Sequence, residues 1–390
     1  VKVLMLSGDR LTPAGGRGPL YETQRGFSRW FERVDILLPR PLGVVTTRQI
    51  LGNVHLHPAE GGRFTRARFW RAHGERLLLE HGHGLIVSHD YGLFQTGRAA
   101  AWLSRATGVP YLSEIHGVPG YPVASDLGER LKLSATKSYL RWAAGRAAAF
   151  RVVNAAELPP FLEAQGVPAG KIVVLRALYI DLATFRPAEQ APARRQDLIY
   201  AGRFAANKGL EHVIEALALS RARGKPLSAR FVGKGPLENS LRRLADSRGV
   251  AQQLTFQGWT DSTAELATAY RESGVVVCAS GCEGGPRSTV EGMACGLPAV
   301  STPVGMMKEL IVEGRNGKLC GFDAPSLADA LFQVLADEPR RALLGRNAHL
   351  DAQQFEYEHT IRAYAEGVHR LAGLELPPAP HPFPAEPSGR

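Results

Sequence analysis

Only four cysteines and four methionines occur among the 390 residues. Cys278, Cys282, Cys295 and Cys320 fall in one stretch, with no Cys-x-x-Cys pair and no histidine at zinc-ligand spacing beside them. Neither a disulfide scaffold nor a zinc site is expected, and the thiols are read as reduced and buried. No run comes near the ~20 apolar residues that a membrane span needs. The opening VKVLMLSG is apolar but short, without a basic flank or a small-residue cleavage site, so it reads as a buried first strand and a cytoplasmic protein is expected. The chain has no Asp-x-Asp motif to hold a divalent cation, and no zinc-finger, RRM, KH or helix-turn-helix signature. No metal and no nucleic-acid partner are expected.

Apolar residues make up 44% of the chain and charged residues 22%, an ordinary globular balance over a length that exceeds one hydrophobic core. The charge is unevenly placed. Residues 1–186 hold 24 Lys and Arg against 14 Asp and Glu, while residues 187–390 hold 23 of each, so the whole net charge of +10 belongs to the first half. Such an asymmetry attracts an acidic partner, and an anionic membrane surface or acidic acceptor suits it better than nucleic acid.

Short apolar runs ending in small or polar residues recur: VKVLMLSG (1–8), VDILLP (34–39), GLIVSHD (84–90) and VPYLSEIHG (109–117), then DLIYAGRF (197–204), SARFVGKG (228–235), LTFQGW (254–259), GVVVCAS (274–280) and LPAVST (297–302). Stretches of helical spacing separate them, as at 21–32 and 96–107. Strands alternating with helices predict two parallel-sheet α/β domains. RPAEQAPARRQD (186–197) has the composition of an exposed linker, which sets the domains at 1–187 and 188–355. An amphipathic helix follows at 356–372. The tail 373–390 carries six prolines and is expected to lack regular structure.

In such folds ligands bind beyond the carboxyl ends of the strands. The sharpest motif lies there: ASGCEGGPRSTVEGMACGLPAVST (279–302), a strand, a glycine-rich loop, a short helix and another strand. A helix starting near Pro286 makes residues 284–289, including Pro286, Arg287, Ser288 and Thr289, a cradle of backbone N–H groups for a diphosphate or sugar oxygens. Glu283 and Glu291, eight apart, then face the ligand as acceptors for sugar hydroxyls, or else are two solvated carboxylates flanking a helix. In YAGRFAANKGL (200–210), Arg203 and Lys208 stand at a strand end and a helix start, as a diphosphate clamp or as surface cations.

The spacing of Glu283 and Glu291 in this setting resembles the E-x7-E motif of the retaining family 4 glycosyltransferases, and EGMACGLPAV resembles the sequence that follows it, with Gly292 where alanine is usual. GRFAANKG resembles that family's G-R-x-x-x-x-K-G, RFVGKGPLENSL its G-x-G-P segment at Gly233, and LTFQGW its segment beside the nucleobase at Gly258 and Trp259. Gly15 and Gly16 resemble its N-terminal glycine loop, and YLSEIHGVPG its histidine segment at His116. The resemblance covers the chain to about residue 371 and is more specific in the second half. It departs at Asn154, where serine is common, at Ala177-Leu178-Tyr179, where an Asn-Gly hinge is common, and in VGMMKELI (304–311), which lacks the usual G-G-x-x-E-I although Glu309 is kept.

The resemblance implies a GT-B fold, two Rossmann-like domains facing across a deep cleft, and transfer with retention from a nucleoside-diphosphate sugar to an acceptor hydroxyl, UDP-sugars favoured over GDP-sugars. It implies that Glu283 binds the transferred sugar, Glu291 the ribose, Arg203 and Lys208 the diphosphate, Gly15 and Gly16 the donor phosphates across the cleft, and that His116 sits near the sugar. Trp259 is placed by the base, although a partly buried core tryptophan fits the residues equally. No cofactor is implied beyond the donor. The acceptor, a sugar, lipid-linked or small molecule, falls to the first domain, whose candidate helix Leu127–Phe150 carries Arg130, Lys132, Lys137, Arg141 and Arg146. That helix suits an anionic membrane surface on the inner face of the plasma membrane, or is a solvated helix of its own domain. A sugar phosphorylase, an epimerase or an inactive nucleotide-sugar binder are the alternatives.

Overall fold

A computed structural model describes residues 1–62, 65–176, 178–190 and 193–381. The first domain contains β1 (Lys2–Leu6), α1 (Pro19–Phe27), β2 (Arg33–Leu38), β3 (Gln49–Ile50), β4 (Val54–Pro58), α2 (Arg66–His81), β5 (Leu85–His89), α3 (Gln95–Thr107), β6 (Tyr111–Ile115), α4 (Leu127–Ala143), β7 (Ala149–Val152), α5 (Leu158–Glu163) and β8 (Ile172–Val174). Its sheet runs β3-β4-β2-β1-β5-β6-β7-β8, parallel except for β3, which pairs antiparallel with β4 at the edge.

The second domain contains β9 (Gln196–Ala201), α6 (Leu210–Ala222), β10 (Ala229–Val232), α7 (Glu238–Ser247), β11 (Leu254–Gln257), α8 (Thr263–Arg271), β12 (Ser273–Cys278), α9 (Arg287–Ala294), β13 (Ala299–Ser301), α10 (Met307–Leu310), β14 (Gly317–Leu319), α11 (Ala324–Leu335) and α12 (Glu338–Ala352). Its sheet runs β11-β10-β9-β12-β13-β14, all parallel.

The middle of each sheet is covered on both faces, which is why β1, β2, β5 and β12 are mostly apolar. Alternate residues feed opposite cores. In β1, Leu4 and Leu6 join Trp70, Leu103 and Tyr139, while Val3 and Met5 join Phe27, Phe31 and Tyr364. In β9, Leu198 and Tyr200 face one core and Ile199 and Ala201 the other. The four cysteines are buried and free.

The last helix, α13 (Tyr357–Leu371), lies against α1, its Tyr364 ring stacked 4.6 Å from that of Phe27. The helix expected over Leu127–Phe150 stops at Ala143, because Ala149 and Phe150 enter the sheet as β7 beside Leu112 and Ser113. Ala191 and Pro192 of the expected linker, Ala177 of the expected hinge, and residues 382–390 of the expected tail lie outside the described residues. Residues 373–381 have no helix or strand.

Candidate functional site

Strand order reverses between β9 and β12 in the second domain, and between β1 and β5 in the first. A crevice opens at each reversal, at the carboxyl ends of the strands.

The second-domain crevice is a cavity of about 290 Å³ whose walls include Lys208, Trp259, Glu283, Pro286, Arg287, Ser288, Thr289 and Glu291. β9 and β12 run straight toward it. α9 begins at its floor with Pro286 as N-cap and no capping side chain, which leaves the amides at its start without a side-chain partner and the positive helix end on the cavity. The Thr289 amide is already used, bonding the Pro286 carbonyl at 3.1 Å.

Each glutamate holds a cation. The Arg287 Nε donates to Glu291 Oε1 at 3.1 Å, and Lys208 pairs with Glu283 Oε1, to which Ser280 Oγ also donates at 3.2 Å. Glu291 is 8% exposed, and burial lifts its pKa against the opposing pull of Arg287. Trp259 is 57% exposed on the wall, so the core alternative for this indole fails. Gly233, at φ +133, does not line the cavity. It lets the β10 turn cross Gly202, whose carbonyl oxygen lies 2.1 Å from where a Cβ would stand. Gly258 packs behind, against Lys234.

Arg203 stands on another wall. It is exposed and lines a second opening of about 400 Å³, together with Lys132, Asn207 and Glu283, between the two domains. Glu283 therefore belongs to both spaces, with Lys208 on one and Arg203 on the other.

In the first domain, a cavity of about 270 Å³ lies beyond β1, β5 and β6, closed on one side by Thr360, Ile361 and Tyr364 of α13. His116 is in its wall and contacts Glu114, a residue the motifs do not single out. Glu114 is fully buried. Its Oε1 accepts from Arg151 Nη1 at 2.8 Å and from the Tyr364 hydroxyl at 2.7 Å, and its Oε2 lies 3.2 Å from His116 Nε2 and 3.3 Å from His89 Nε2. Burial favours the neutral acid, but Arg151 and the imidazoles outweigh it and hold the carboxyl well below the usual range. Burial pushes the His89 pKa down to about 4. Gln24, 1% exposed in the same wall, leaves its Oε1 without a hydrogen-bond partner. Gly15 and Gly16 line none of these spaces: Gly15, at φ +84, ends the turn after Thr12–Ala14, and Gly16 sits against Leu11.

Two positions of the family pattern, the departing Asn154 and the retained Glu309, bind the two domains together. Buried Asn154 accepts the Glu157 and Leu158 amides through Oδ1, capping α5, and donates through Nδ2 to the Gly284 carbonyl at 3.1 Å. One serine hydroxyl has no second arm for that bridge. Glu309 Oε2 accepts the Ala155 and Ala156 amides at 2.8 and 3.0 Å, and Lys308 pairs with Glu157 at 3.0 Å. Glu309 thus grips the opposite domain. Gly292 replaces alanine because a Cβ there would meet Val276 of β12 at 2.7 Å.

Two parallel doubly wound domains, with crevices at their switch points and a shared opening between them, define the GT-B architecture. Solved structures share it. The sucrose-phosphate synthase of Thermosynechococcus elongatus superposes with a TM-score of 0.77 at 21% identity, over 95% of this chain and 99% of that one. Anabaena HepE, in complex with UDP and glucose, gives 0.72 at 19% identity, over 94% and 99%. The family model described as glycosyl transferases group 1 matches residues 182–351, and that described as glycosyl transferase 4-like domain matches 15–177. The chain belongs to the group 1 glycosyl transferases, with a 4-like N-terminal domain. The D-inositol 3-phosphate glycosyltransferase of Pseudarthrobacter chlorophenolicus is 35% identical over 222 residues, 52% of this chain and 52% of that protein. The matched stretch thus spans about half the length of that relative.

Proposed function

We propose that the chain is a retaining glycosyltransferase that binds a nucleoside-diphosphate sugar in the second-domain cavity and passes the sugar to an acceptor hydroxyl held by the first domain. One observation carries this reading: two glutamates, each holding an exchangeable cation, line a single cavity with a helix N-terminus and an exposed indole.

Each part has a task. Glu291 accepts the two ribose hydroxyls and Trp259 offers a face to the base. Lys208, Arg203 and the amides at the start of α9 take the charge that builds on the departing diphosphate, a contribution of roughly 3 kcal/mol per well-placed donor. That is the work a divalent ion would otherwise do, so no metal is required. Glu283, between the donor cavity and the opening to the first domain, grips the transferred sugar. The ligand-free ion pairs are placeholders: Lys208 leaves Glu283 for phosphate and Arg287 leaves Glu291 as ribose arrives. No protein nucleophile is assigned; a phosphate oxygen of the leaving group accepts the acceptor's proton, and His116, held by Glu114, orients the sugar side.

A uridine donor is favoured over guanosine, supported by HepE, whose structures hold UDP and UDP-glucose. The test is a thermal-shift series with UDP, GDP, ADP and their sugar conjugates, on the wild type and on Glu291→Ala. A shift with uridine nucleotides that disappears in the variant is the expected result; no shift with any nucleotide overturns the reading. Release of UDP that depends on an added acceptor separates transfer from epimerase or phosphorylase chemistry.

A further inference from the structure

Half of the first half's net charge of +10 lies on one layer, where α3 and α4 are +5. α3 and α4 carry six Lys and Arg, Arg98, Arg105, Arg130, Lys132, Lys137 and Arg141, against Glu129 alone. Where α2, α3 and the end of α4 meet, Arg71, Arg98, Arg105 and Arg146 surround Trp102 and Trp142 in a groove of about 740 Å³ with no acidic residue in its walls. All four guanidiniums are exposed, and among the described residues none makes an ion pair. Arg71 lies over the Trp102 ring at 5.6 Å and Arg146 over the Trp142 ring at 4.6 Å.

The groove continues along α4. Positions 127, 131, 138 and 142 fall on one helical stripe. Leu127 and Leu131, at its far end, are 70% and 65% exposed, so the stripe joins apolar side chains to the arginine and tryptophan groove over about 22 Å. Near the leucines, Asp126, Glu129 and Lys132 line the opening between the domains.

We propose that this outer face of α3 and α4 docks on a bilayer containing anionic phospholipid. The chemistry matches at three levels. Unpaired guanidiniums bind headgroup phosphates in fork geometry, indoles settle at the depth where polar and apolar regions meet, and the two leucines enter the acyl boundary. A polyphosphate such as nucleic acid satisfies the arginines but leaves Leu127 and Leu131 in water, which favours lipid. The arginine and tryptophan groove shares no lining residue with the donor cavity, so the proposal holds or fails independently of the transferase reading.

The test is sedimentation of the full chain with large unilamellar vesicles of phosphatidylcholine, with and without phosphatidylglycerol, at low and high salt. Binding is expected only to the anionic vesicles, falling with salt because the interaction is screened. The double variant Arg98→Glu/Arg105→Glu is expected to lose at least about 30-fold in partitioning, about fivefold for each basic group removed. Leu127→Ser/Leu131→Ser is expected to weaken binding while keeping the salt slope. The melting temperature of the ligand-free protein serves as the fold control and is expected to be unchanged in both variants. No sedimentation with anionic vesicles at low salt overturns the proposal. So does equal binding by the arginine variant, or binding to duplex DNA or RNA tighter than to vesicles at the same salt.

Discussion

Glu291→Gln separates two properties that usually fall together. Glu291 is buried, and burial raises its pKa above the value it has in an unfolded chain. A group shifted that way contributes stability below its unfolded pKa and loses that contribution as pH rises through the folded one, so at neutral pH the ionised carboxylate costs the ligand-free protein stability. Its partner Arg287 is about half exposed, with a side-chain accessibility of 47%, and water replaces the lost pairing. The glutamine variant is therefore expected to melt at the same temperature as the wild type or above it. Donor affinity moves the opposite way. The two charge-assisted hydrogen bonds to ribose that the proposed role gives Glu291 are worth about 3 kcal/mol together. Neutral bonds are roughly half as strong, so the glutamine variant loses about 1.5 kcal/mol, about tenfold in Kd. Glu291→Ala loses the whole, about 150-fold. Calorimetric titration with UDP and a thermal melt of the free protein read the two quantities. A glutamine variant that melts several degrees lower, or that binds UDP as well as the wild type, refutes the reasoning.

Other substitutions test other parts. Asn154→Ser keeps a cap for α5 but drops the bond to the Gly284 carbonyl, and is expected to cost about 1 kcal/mol in urea unfolding; no change would show that the bridge carries nothing. Gly233→Ala forces a Cβ to within 2.1 Å of the Gly202 carbonyl oxygen at φ +133, and is expected to destabilise the second domain by more than about 2 kcal/mol and to weaken the UDP thermal shift. Fully buried Asp90 accepts hydroxyls from Ser88, Thr96, Ser113 and Tyr139, and burial pushes its pKa up to about 6 from 3.8. Its contribution is full below about pH 3.8 and is lost as pH rises through 6. The stability of the wild type relative to Asp90→Asn should accordingly fall between pH 4 and 7, and urea curves showing a pH-independent difference would contradict this.

The parts of the fold readable from sequence are those with local causes. β1, β2, β5, β9, β12 and β13 are mostly apolar because both sheet faces are buried there, and each ends in the small or polar residues that turn toward the crevice. Short edge strands such as β3 and β14 lack such a run and depend on a neighbour for pairing. The α4 boundary was misplaced for a similar reason: apolar Ala147–Phe150 satisfies helical spacing and strand burial alike, and only pairing with β6 decides. Around the cavities, Glu283, Glu291, Lys208 and residues 286–289 were legible because strand, loop and helix are contiguous. Glu114 and Arg151 were not, since their meaning depends on Tyr364, 250 residues further along the chain from Glu114. Asn154 looked like a loss of pattern until Gly284 of the other domain came beside it.

That last pairing bears on how the two halves act together. The Gly284 backbone follows Glu283, the one glutamate shared by the donor cavity and the interdomain opening, and a Cβ at Gly284 would stand 1.7 Å from the His116 carbonyl oxygen. The loop that holds Glu283 is thus pressed against the loop that holds His116, with Asn154 bonded to Gly284 and Glu309 to the amides after Asn154. Glu114 fixes His116 from below, and Tyr364 of α13 fixes Glu114 in turn. On the proposed roles of Glu283 and His116, the position of the reacting sugar is set by both domains at one contact rather than by either crevice alone. Asn154, which departs from the family pattern, and Glu309, which keeps it, hold the domains in register at that contact.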